Sequence, residues 1–475
     1  MYHTISKTGY KLLKHNNRSS LNLQPKDWGL SVTSEGMLQI NDYIVVNLAG
    51  IYGTPLHIVN LPRLVQTGKT FINEMDKIYP GKTSVHFAFK SNSVPGVVQA
   101  IKESGLKAEV MTDYELELAL KLGYKGEDII VNGPCKTWRF LKRSLQARVR
   151  LIVVDSMSEL AELNQLCHES RVTSNVLLRV NPDYVPRGMN SGTATASRKG
   201  CAFGLDLKSG EVDKVIESLN GLKSVNFCGF HMHIGTGIRD PKDYFRAVKI
   251  LFPLFKRTAD RGLKMRCLDV GGGFASFTTR EFTTTELLLQ QGLNFRPAGI
   301  KIYDKKEFSD FGREISKAIL EFFSVDNCPE LILEPGRCIV SPNQFLVLTV
   351  YRIKERDGVG RWLITDGGLG TNSLPTYYEY HEVFLCNEVN RVSSTKASII
   401  GPCCFAADTV YKNKPMPHIF PGEKIAIMDT GAYFTALESS FGFPRPAIAG
   451  VSQERHMLIR HRENFSDMTS RDNYI

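Results

Sequence analysis

Two chemically active side chains lie at the ends of short apolar stretches of this chain. Lys90 ends the stretch HFAFK, and Glu334 ends the stretch LILE. An apolar setting favours the neutral form of a lysine amine, so Lys90 is a candidate for a Schiff base with a carbonyl compound. Burial of a carboxylate such as Glu334 is costly unless a cationic group pairs with it. The alternatives are a solvated lysine at a strand end and an ordinary buried ion pair.

Two histidines, His231 and His233, lie in the stretch GFHMHIGTG and face the same side of a predicted strand. One interpretation is an imidazole that stacks on a cofactor ring, with Thr236 close to a phosphate. A second is a catalytic metal site built on the H-x-H pair, although no convincing further ligands follow at later strand ends. A third is an ordinary buried histidine, and the residues alone leave all three open.

Glycine-rich turns could hold an anion. Gly272 and Gly273 in LDVGGGF would let backbone N–H groups approach a phosphate, and Gly336 and Arg337 in LEPGR could add contacts. Tyr433, in DTGAYF, could bring a hydroxyl to the same group. Tight turns and a core tyrosine explain the same residues without a ligand.

Cysteine usage and hydropathy indicate the cellular setting. The ten cysteines include no C-x-x-C pair, so we do not predict structural zinc or another metal. Residues 1–20 lack the apolar segment of a signal peptide, and no apolar run is long enough to span a membrane. We therefore expect a cytoplasmic protein with free thiols and no membrane contact. Cys404, in GPCCFAAD, is either a proton donor or a small buried residue.

The composition is that of an ordinary globular protein. The 475 residues carry a formal net charge of +10, but the basic residues are scattered rather than blocked. We therefore expect solvated surface charge and no nucleic-acid partner. A hydrophobic fraction of 42% in a chain of this length allows a sizeable core and more than one domain.

Short apolar stretches alternate with amphipathic segments through the first two thirds of the chain. This alternation predicts a parallel sheet, and eight such strands fit an α/β fold of the (β/α)₈, or TIM barrel, type. The predicted strands are 84–90, 108–111, 129–131, 151–155, 176–181, 227–234, 267–270 and 331–334. Lys90, His233 and Glu334 lie at strand ends, where the loops of a barrel enzyme form its active site.

A change in composition after residue 340 predicts a second domain. Strand-like segments there alternate with turns rich in Gly, Pro, Asn and Asp, which predicts a mostly antiparallel β domain. The strand-like segments are 345–353, 361–365, 397–400 and 424–429. We divide the chain into a leader (1–35), N-terminal strands of the β domain (36–60), the barrel (61–340) and the C-terminal β domain (341–475). Residues 183–200 lack apolar periodicity and predict a mobile loop.

Taken in this order, the motifs resemble the fold-type-III pyridoxal-phosphate decarboxylases of the ornithine, diaminopimelate and arginine decarboxylase family. The resemblance covers about Gly53 to Gly442. It implies an alanine-racemase-like architecture, pyridoxal 5′-phosphate as cofactor and decarboxylation of an amino acid. It further implies that Lys90 binds the cofactor, His233 stacks on its ring and Glu334 pairs with its nitrogen. The remaining cofactor contacts that it implies are Arg179, Thr236, Gly272, Gly273, Gly336, Arg337 and Tyr433.

The resemblance also implies a homodimer with shared active sites, in which Cys404 protonates the carbanion in the site of the partner subunit. This chain departs from the family around that cysteine. Phe405 replaces an acidic residue that meets the distal amine of the substrate, while Tyr377 and Asp408 remain as predicted substrate contacts. Leu374 stands where diaminopimelate decarboxylases have an arginine. Ala202 replaces a lysine that pairs with the equivalent of Asp408 across the dimer.

These departures predict an unusual substrate. We expect decarboxylation of a modified or conjugated diamino acid in a siderophore-like or otherwise specialised biosynthetic pathway. One alternative is ornithine, lysine or diaminopimelate decarboxylation in primary metabolism. A non-catalytic, regulator-binding homologue and a metal-dependent barrel hydrolase are further alternatives.

Overall fold

The computed structural model of this chain describes two compact units. The described residues are 23–187, 197–198, 200–293, 305–368, 378–405 and 407–473. The barrel unit spans 65–275 and 306–336, and the sheet unit spans 1–64, 276–305 and 337–475. Most of the predicted mobile loop at 183–200 lies outside the described residues. The predicted domain ranges stay predictions.

Eight parallel strands of the barrel unit form a closed ring. They are β1 (Thr83–Ala88), β2 (Lys107–Val110), β3 (Ile129–Val131), β4 (Leu151–Val154), β5 (Ser174–Asn181), β6 (Val225–His231), β7 (Cys267–Asp269) and β8 (Glu330–Leu333). Consecutive strands pair, and β8 closes the ring on β1 with Leu331 opposite Thr83. A short extra strand, Leu205–Asp206, pairs with β5. The eight predicted strands are these eight, so the predicted barrel is confirmed.

Helices alternate with the barrel strands. They are Leu61–Ile78, Pro95–Glu103, Asp113–Lys121, Trp138–Gln146, Met157–Ser170, Glu211–Leu219, Lys242–Ile250, Phe252–Asp260 and Phe308–Leu320. Three begin after Thr112, Thr137 or Ser156, whose side-chain oxygens accept an N–H three residues on. Each such cap contributes about 1 kcal/mol. Lys242–Ile250 and Phe252–Asp260 are two separate helices, because Pro253 has no N–H to continue the hydrogen-bond ladder.

Apolar residues from alternate strand positions fill the middle of the barrel. The packed cluster consists of Ile130, Leu151, Val153, Leu177, Cys228, Cys267 and Ile332, all buried. A filled interior gives the barrel two separate ends. The carboxyl ends of the strands meet at one end, and their amino ends meet at the other.

The sheet unit contains a mixed sheet with mostly antiparallel pairing. Its main path runs through Thr409–Pro417, Ser393–Ile400, Gly360–Thr365, Gln344–Arg356, Leu56–Asn60, Ala447–Val451 and His456–Arg460. Lys424–Ile427 pairs with Gln344–Arg356, and Val383–Leu385 pairs with Lys424–Ile427. Smaller elements of this unit are Arg280–Glu281, which pairs with Glu379–Tyr380, and the helices Val45–Tyr52, Thr284–Leu293, Arg337–Val340, Phe434–Leu437 and Phe465–Thr469.

The pairing expected for residues 36–60 is correct for one strand and wrong for two segments. Leu56–Asn60 enters the large sheet, between Gln344–Arg356 and Ala447–Val451. Leu38–Ile40 and Tyr43–Ile44 instead form a separate three-stranded sheet with Leu30–Val32. Val45 begins a helix rather than extending the strand. Trp28, which is buried and donates to Asp429, anchors the 3₁₀ helix Pro25–Trp28 within the predicted leader.

Within the described residues, no helix combines the length and the apolar character needed to cross a bilayer. All ten cysteines are free thiols.

Candidate active site

Polar side chains converge at the carboxyl end of the barrel. Parallel strands bring the residues at their carboxyl ends to one edge, so residues distant in sequence meet there. The group consists of Lys90, Glu109, Asn132, Asp155, Arg179, His231, Asp269 and Glu334, each within two positions of the last residue of a strand. All of them except Lys90, which is half-buried, are buried. This is the end at which the sequence predicts an active site.

Lys90 lies just beyond β1 rather than in it. The predicted strand 84–90 is two residues too long, because the strand ends at Ala88 and Phe89–Ser91 form a 3₁₀ turn. The turn forms because the Ser91 hydroxyl and the Asn92 N–H donate to the carbonyls of Ala88 and Phe89. The turn, and not the strand, therefore sets the backbone conformation at Lys90.

Glu334 lies in a buried polar cluster with His231 and Asn132. The Asn132 amide nitrogen lies 3.2 Å from both Glu334 Oε1 and His231 Nε2, and His231 Nε2 lies 3.4 Å from Glu334 Oε2. Burial lowers the pKa of His231, so its ring is neutral at neutral pH. Burial by itself raises the pKa of Glu334, but neighbouring His231 and the Lys90 charge outweigh it and hold that pKa below its usual range. Glu334 therefore keeps its negative charge.

Two further carboxyl groups beside Glu334 are shifted in the opposite direction. Burial raises the pKa of Glu109 to about 8; the positive charge of Lys90 opposes this shift and Glu334 adds to it. Burial raises the pKa of Asp269 well above its usual range, and Glu334 again adds to the shift. Neither carboxylate oxygen of Glu109 has a hydrogen-bond partner among the described residues. At neutral pH the three acids therefore carry mainly one charge, on Glu334.

His233 lies two residues beyond the end of β6, against the glycine turn. Its Nδ1 accepts the Gly272 N–H at 3.2 Å, which places the ring proton on Nε2. Burial lowers the pKa of His233 well below its usual value, so the ring is neutral and its faces are apolar. The sequence predicts that the Gly272 N–H contacts a phosphate, but in the structure this N–H donates to His233. The structure thus brings His233 and Gly272 together, with Gly272 orienting the ring.

The turn at Gly271–Gly273 requires glycine for close packing. A Cβ on Gly272 would lie 2.2 Å from the Glu334 carbonyl oxygen, and one on Gly273 would lie 2.2 Å from the Gly235 oxygen. Gly273 also has a φ of 99°, which side chains rarely adopt. The turn therefore holds the backbone after β7 against that after β6 and β8.

Arg179 belongs to a neighbouring group of buried charges. Its guanidinium lies 3.6 Å from Asp155 and 4.7 Å from the centroid of the Phe203 ring. Lys136 and Glu159 form a second buried pair at 2.8 Å. The structure therefore places Arg179 at the same barrel end as Lys90 and Glu334, as the sequence predicts.

His231, Asp269 and Glu334 also have the geometry of a small ligand set. One ligand atom from each lies within 4.8 Å of the others. The metal interpretation of the sequence invoked His231 and His233, but His233 is not part of this group in the described residues. The group combines a neutral imidazole, one carboxylate and a carboxyl that burial keeps protonated, and a metal would have to displace that last proton.

Within the sheet unit, Arg337 and Tyr433 lie together. The Arg337 guanidinium lies 2.8 Å from Glu379 and 5.2 Å from the centroid of the Tyr433 ring. Burial lowers the pKa of Arg337, but Glu379 more than offsets this and raises it overall. Glu281 pairs with Glu379 across the two-stranded ladder, and burial, with Glu379 next, raises the pKa of Glu281 to about 7. Arg337 thus has a carboxylate partner that sequence reasoning missed.

The loop that carries Cys404 is held by Asp408. The Asp408 carboxylate accepts the Cys403 N–H at 2.8 Å, and the Gly401 N–H donates to the Asp408 carbonyl at 3.0 Å. A Cβ on Gly368 would lie 2.0 Å from Asp408 Oδ1, so the loop closes tightly over this carboxylate. Cys404 and Phe405 are exposed, Phe405 by 48%. The predicted contacts of Phe405 and Asp408 with substrate stay predictions, and Tyr377 and Leu374 lie outside the described residues.

Three residues of the barrel site escaped the sequence analysis. Asp269 directly precedes the three glycines, Asn132 follows β3 in the stretch NGP, and Glu109 lies in β2. Each lies within two residues of the end of a predicted strand, which was the available signal. Their importance depends on mutual contacts between strands, which no local pattern reveals.

Comparison with known proteins identifies the class of this site. A family model described as the pyridoxal-binding domain of pyridoxal-dependent decarboxylases matches residues 69–341. The diaminopimelate decarboxylase of Methanocaldococcus jannaschii is 27% identical over 450 residues, covering 92% of this chain and 95% of the relative. That of Bacillus subtilis is 28% identical over 446 residues, covering 92% and 95%.

Solved structures agree with these relatives. The crystal structure of diaminopimelate decarboxylase from M. jannaschii superposes with a TM-score of 0.82 at 26% identity and covers 94% of this chain and 98% of that chain. Lysine/ornithine decarboxylase from Vibrio vulnificus, complexed with putrescine, has a TM-score of 0.70 at 19% identity, covering 89% and 100%. The second similarity shows the fold alone.

Proposed function

This chain belongs to the pyridoxal-dependent decarboxylase family, and from that premise we propose that its substrate is diaminopimelate or a closely related diamino acid. The predicted enzyme class is confirmed: the protein is a pyridoxal-phosphate-dependent carboxy-lyase that acts on an amino acid. The named relatives support the alternative of primary metabolism better than the specialised substrate that we expected from the sequence.

The residues at the carboxyl end of the barrel fit pyridoxal phosphate. The cofactor needs an amine, an anionic partner for its ring nitrogen and a flat apolar surface for its ring. Lys90 supplies the amine, ionised Glu334 the anionic partner, and the neutral, oriented ring of His233 the surface. The further phosphate contacts proposed for Thr236, Gly273, Gly336, Arg337 and Tyr433 rest on the resemblance.

When bound, pyridoxal phosphate supplies an electron sink for the electron pair that remains on the α-carbon as CO₂ departs. Glu334 increases this capacity by keeping the ring nitrogen protonated. Its charge remains available because Glu109 and Asp269 are held neutral by burial, so they neither compete for the ring proton nor repel the carboxylate of the substrate. We assign these two residues a supporting electrostatic role.

We propose that Cys404 delivers the proton that replaces CO₂, within a homodimer whose sites are shared. This proposal is supported by the exposure of Cys404 on a loop that Asp408 holds in place. Phe405, next to Cys404 in the chain, belongs to an exposed aromatic pair, because the ring centroids of Phe405 and Phe441 lie 5.9 Å apart and the two residues are 48% and 53% exposed. Exposed aromatic clusters of this kind are typical of interfaces.

Phe405 favours a second candidate, a substrate whose distal end lacks a free ammonium. An aromatic ring cannot neutralise an ammonium ion as a carboxylate does, although it offers weak cation–π attraction. A modified diamino acid with an amide or an apolar group at its distal end would suit this position. The two candidates differ in the chemistry required at one end of the substrate.

Substrate profiling of the purified holoenzyme tests the proposal. We expect CO₂ release from meso-diaminopimelate with a higher kcat/KM than from lysine, ornithine or arginine, and no release by the Lys90→Ala variant. Phe405→Glu provides a matched comparison, since it restores the acidic residue typical of the family. A wild-type enzyme that ignores all four amino acids but gains activity through this substitution would support the modified substrate instead.

A further inference from the structure

A cavity lies at the amino end of the barrel. It measures about 810 Å³ and is lined by residues that precede or begin β4, β5 and β6, together with the ends of two helices. The helices are Trp138–Gln146 and Met157–Ser170. Because the carboxyl ends of the same strands carry Glu334 and its neighbours, this cavity lies at the opposite end of the barrel from the candidate active site.

The lining of the cavity is basic. Arg148, His168 and Arg171 line it, and none of its twelve lining residues is an aspartate or a glutamate. Neither arginine forms an ion pair with any residue in the described part of the chain, and both are exposed. Two unpaired guanidinium groups at one concave surface attract anions.

The helix ends do not cancel this charge. Both helices end at the cavity, and a helix carboxyl end carries a partial charge of about −0.5, so together they contribute about −1. Arg148 and Arg171 contribute +2. The local charge therefore stays positive, which excludes the simplest alternative, in which the arginines only balance the helix dipoles.

Both arginines occupy backbone positions that favour glycine. Arg148 follows the first helix with a φ of 52°, and Arg171 ends the second with a φ of 53°. Glycine and asparagine adopt this left-handed conformation most easily. The local backbone therefore disfavours arginine at both positions. Both arginines nevertheless line the same cavity.

Uncharged residues of the cavity indicate the rest of the ligand. Thr173, Ser174 and Ser224 offer hydroxyl groups, and Asn175 adds an amide. Val149 and Val172 form an apolar wall, with Val172 40% exposed. A doubly charged phosphate fits the arginine pair better than a single carboxylate, because each guanidinium can bind two phosphate oxygens.

We propose that this cavity binds an organic phosphate, with its charged group on Arg148 and Arg171 and its apolar body against Val149 and Val172. The site is distinct from that of the pyridoxal phosphate and does not depend on the proposed substrate. The cavity lies on the loops that lead into β4, β5 and β6. Its ligand would therefore bind at the opposite end of the barrel from the catalytic residues and take no part in the reaction.

Isothermal titration of the holoenzyme with ATP, in a buffer free of phosphate, tests this proposal. We expect saturable binding that weakens about tenfold or more in Arg148→Gln/Arg171→Gln, and that falls with added salt. Lys142→Gln is the matched control, because Lys142 is an exposed cation on the first helix but does not line the cavity. It should bind ATP as the wild type does.

A second variant separates binding from folding. Arg148→Gly/Arg171→Gly removes both charges and relieves both positive φ angles, so we expect an unchanged or higher Tm together with lost ATP binding. The absorbance of the bound cofactor should be unchanged in every variant. Absence of saturable ATP binding, retention of binding in both double variants, or equal weakening by Lys142→Gln would overturn the proposal.

Discussion

The two regions that carry the predicted catalytic groups differ in how far their side chains are buried and hydrogen-bonded. At the carboxyl end of the barrel, Glu334, His231 and Asn132 are buried and lie within hydrogen-bond distance of one another. In the sheet unit, the loop 401–408 holds its own backbone through Asp408 but leaves Cys404 and Phe405 exposed. The barrel strands bring Glu334, His231 and Asn132 together, whereas the loop leaves the thiol of Cys404 exposed.

This difference indicates that the two regions contribute differently to catalysis. A buried, mutually bonded cluster can tune charge, because burial and neighbouring groups decide which acid is ionised. An exposed thiol has no such environment until another surface covers it. Binding of the cofactor ring should therefore depend on groups buried within one chain, while protonation should depend on association of two chains.

Removal of the Lys90 amine tests the barrel half of the comparison most severely. We expect Lys90→Ala to lower kcat by about 10³-fold or more, because the amine that binds the cofactor is lost. The variant should also lack the visible absorbance of lysine-bound cofactor, measured against wild type before and after borohydride. A retained band, reducible onto another lysine, would contradict the assignment.

Cys404→Ala tests the exposed half. We expect turnover to fall by about 10² to 10³-fold, the usual contribution of a positioned proton donor, while cofactor absorbance and affinity stay unchanged. Cys403→Ala is the matched control, since it removes the adjacent thiol and should leave the rate within a fewfold. An equal loss in both variants would indicate a damaged loop rather than a lost donor.

Glu334→Gln asks whether the buried charge matters beyond its hydrogen bonds. Glutamine keeps the size and one acceptor but cannot hold the ring nitrogen protonated, so we expect kcat to fall by about 10²-fold. Cofactor affinity should change less than kcat, as measured by titration of the apoenzyme. Wild-type turnover would count against pairing with the ring nitrogen.

Asp408→Asn tests whether the Asp408 carboxylate holds the loop that carries Cys404. The charged acceptor of the Cys403 N–H becomes a neutral one, and charged acceptors are roughly twice as strong, so we expect an activity loss of about fivefold. The loss should appear in kcat and not in cofactor affinity. If Asp408 instead binds substrate directly, KM should rise while kcat changes little.

A separate prediction for the buried acids concerns the pH dependence of stability rather than turnover. The pKa of Glu109 is about 8 in the folded protein and near 4.5 in the unfolded chain. The folded state therefore binds the extra proton between these values, and Glu109 makes stability fall as pH rises from about 4.5 to about 8. Glu109→Gln should remove this slope, which amounts to at most about 5 kcal/mol. Urea unfolding at several pH values would reveal an unchanged slope if the assignment is wrong.

Prediction from the sequence succeeded where the signal is local. The eight barrel strands alternate with capped helices, and short apolar stretches with glycine turns mark their ends, so β1 to β8 were recognisable one by one. Strands such as Ala447–Val451 and Thr409–Pro417 were not predicted. Their apolar residues do not differ from those of loops until pairing with distant strands is known.

The sequence by itself determined the order of the strands and the types of residue that end them. Lys90, His233 and Glu334 could therefore be named as one constellation before any geometry was known. Only the tertiary structure decided which acid carries the charge, since the pKa values of Glu109 and Asp269 depend on burial and on Glu334. It alone also paired Arg337 with Glu379, because contacts between distant segments and the exclusion of water exist only in the folded chain.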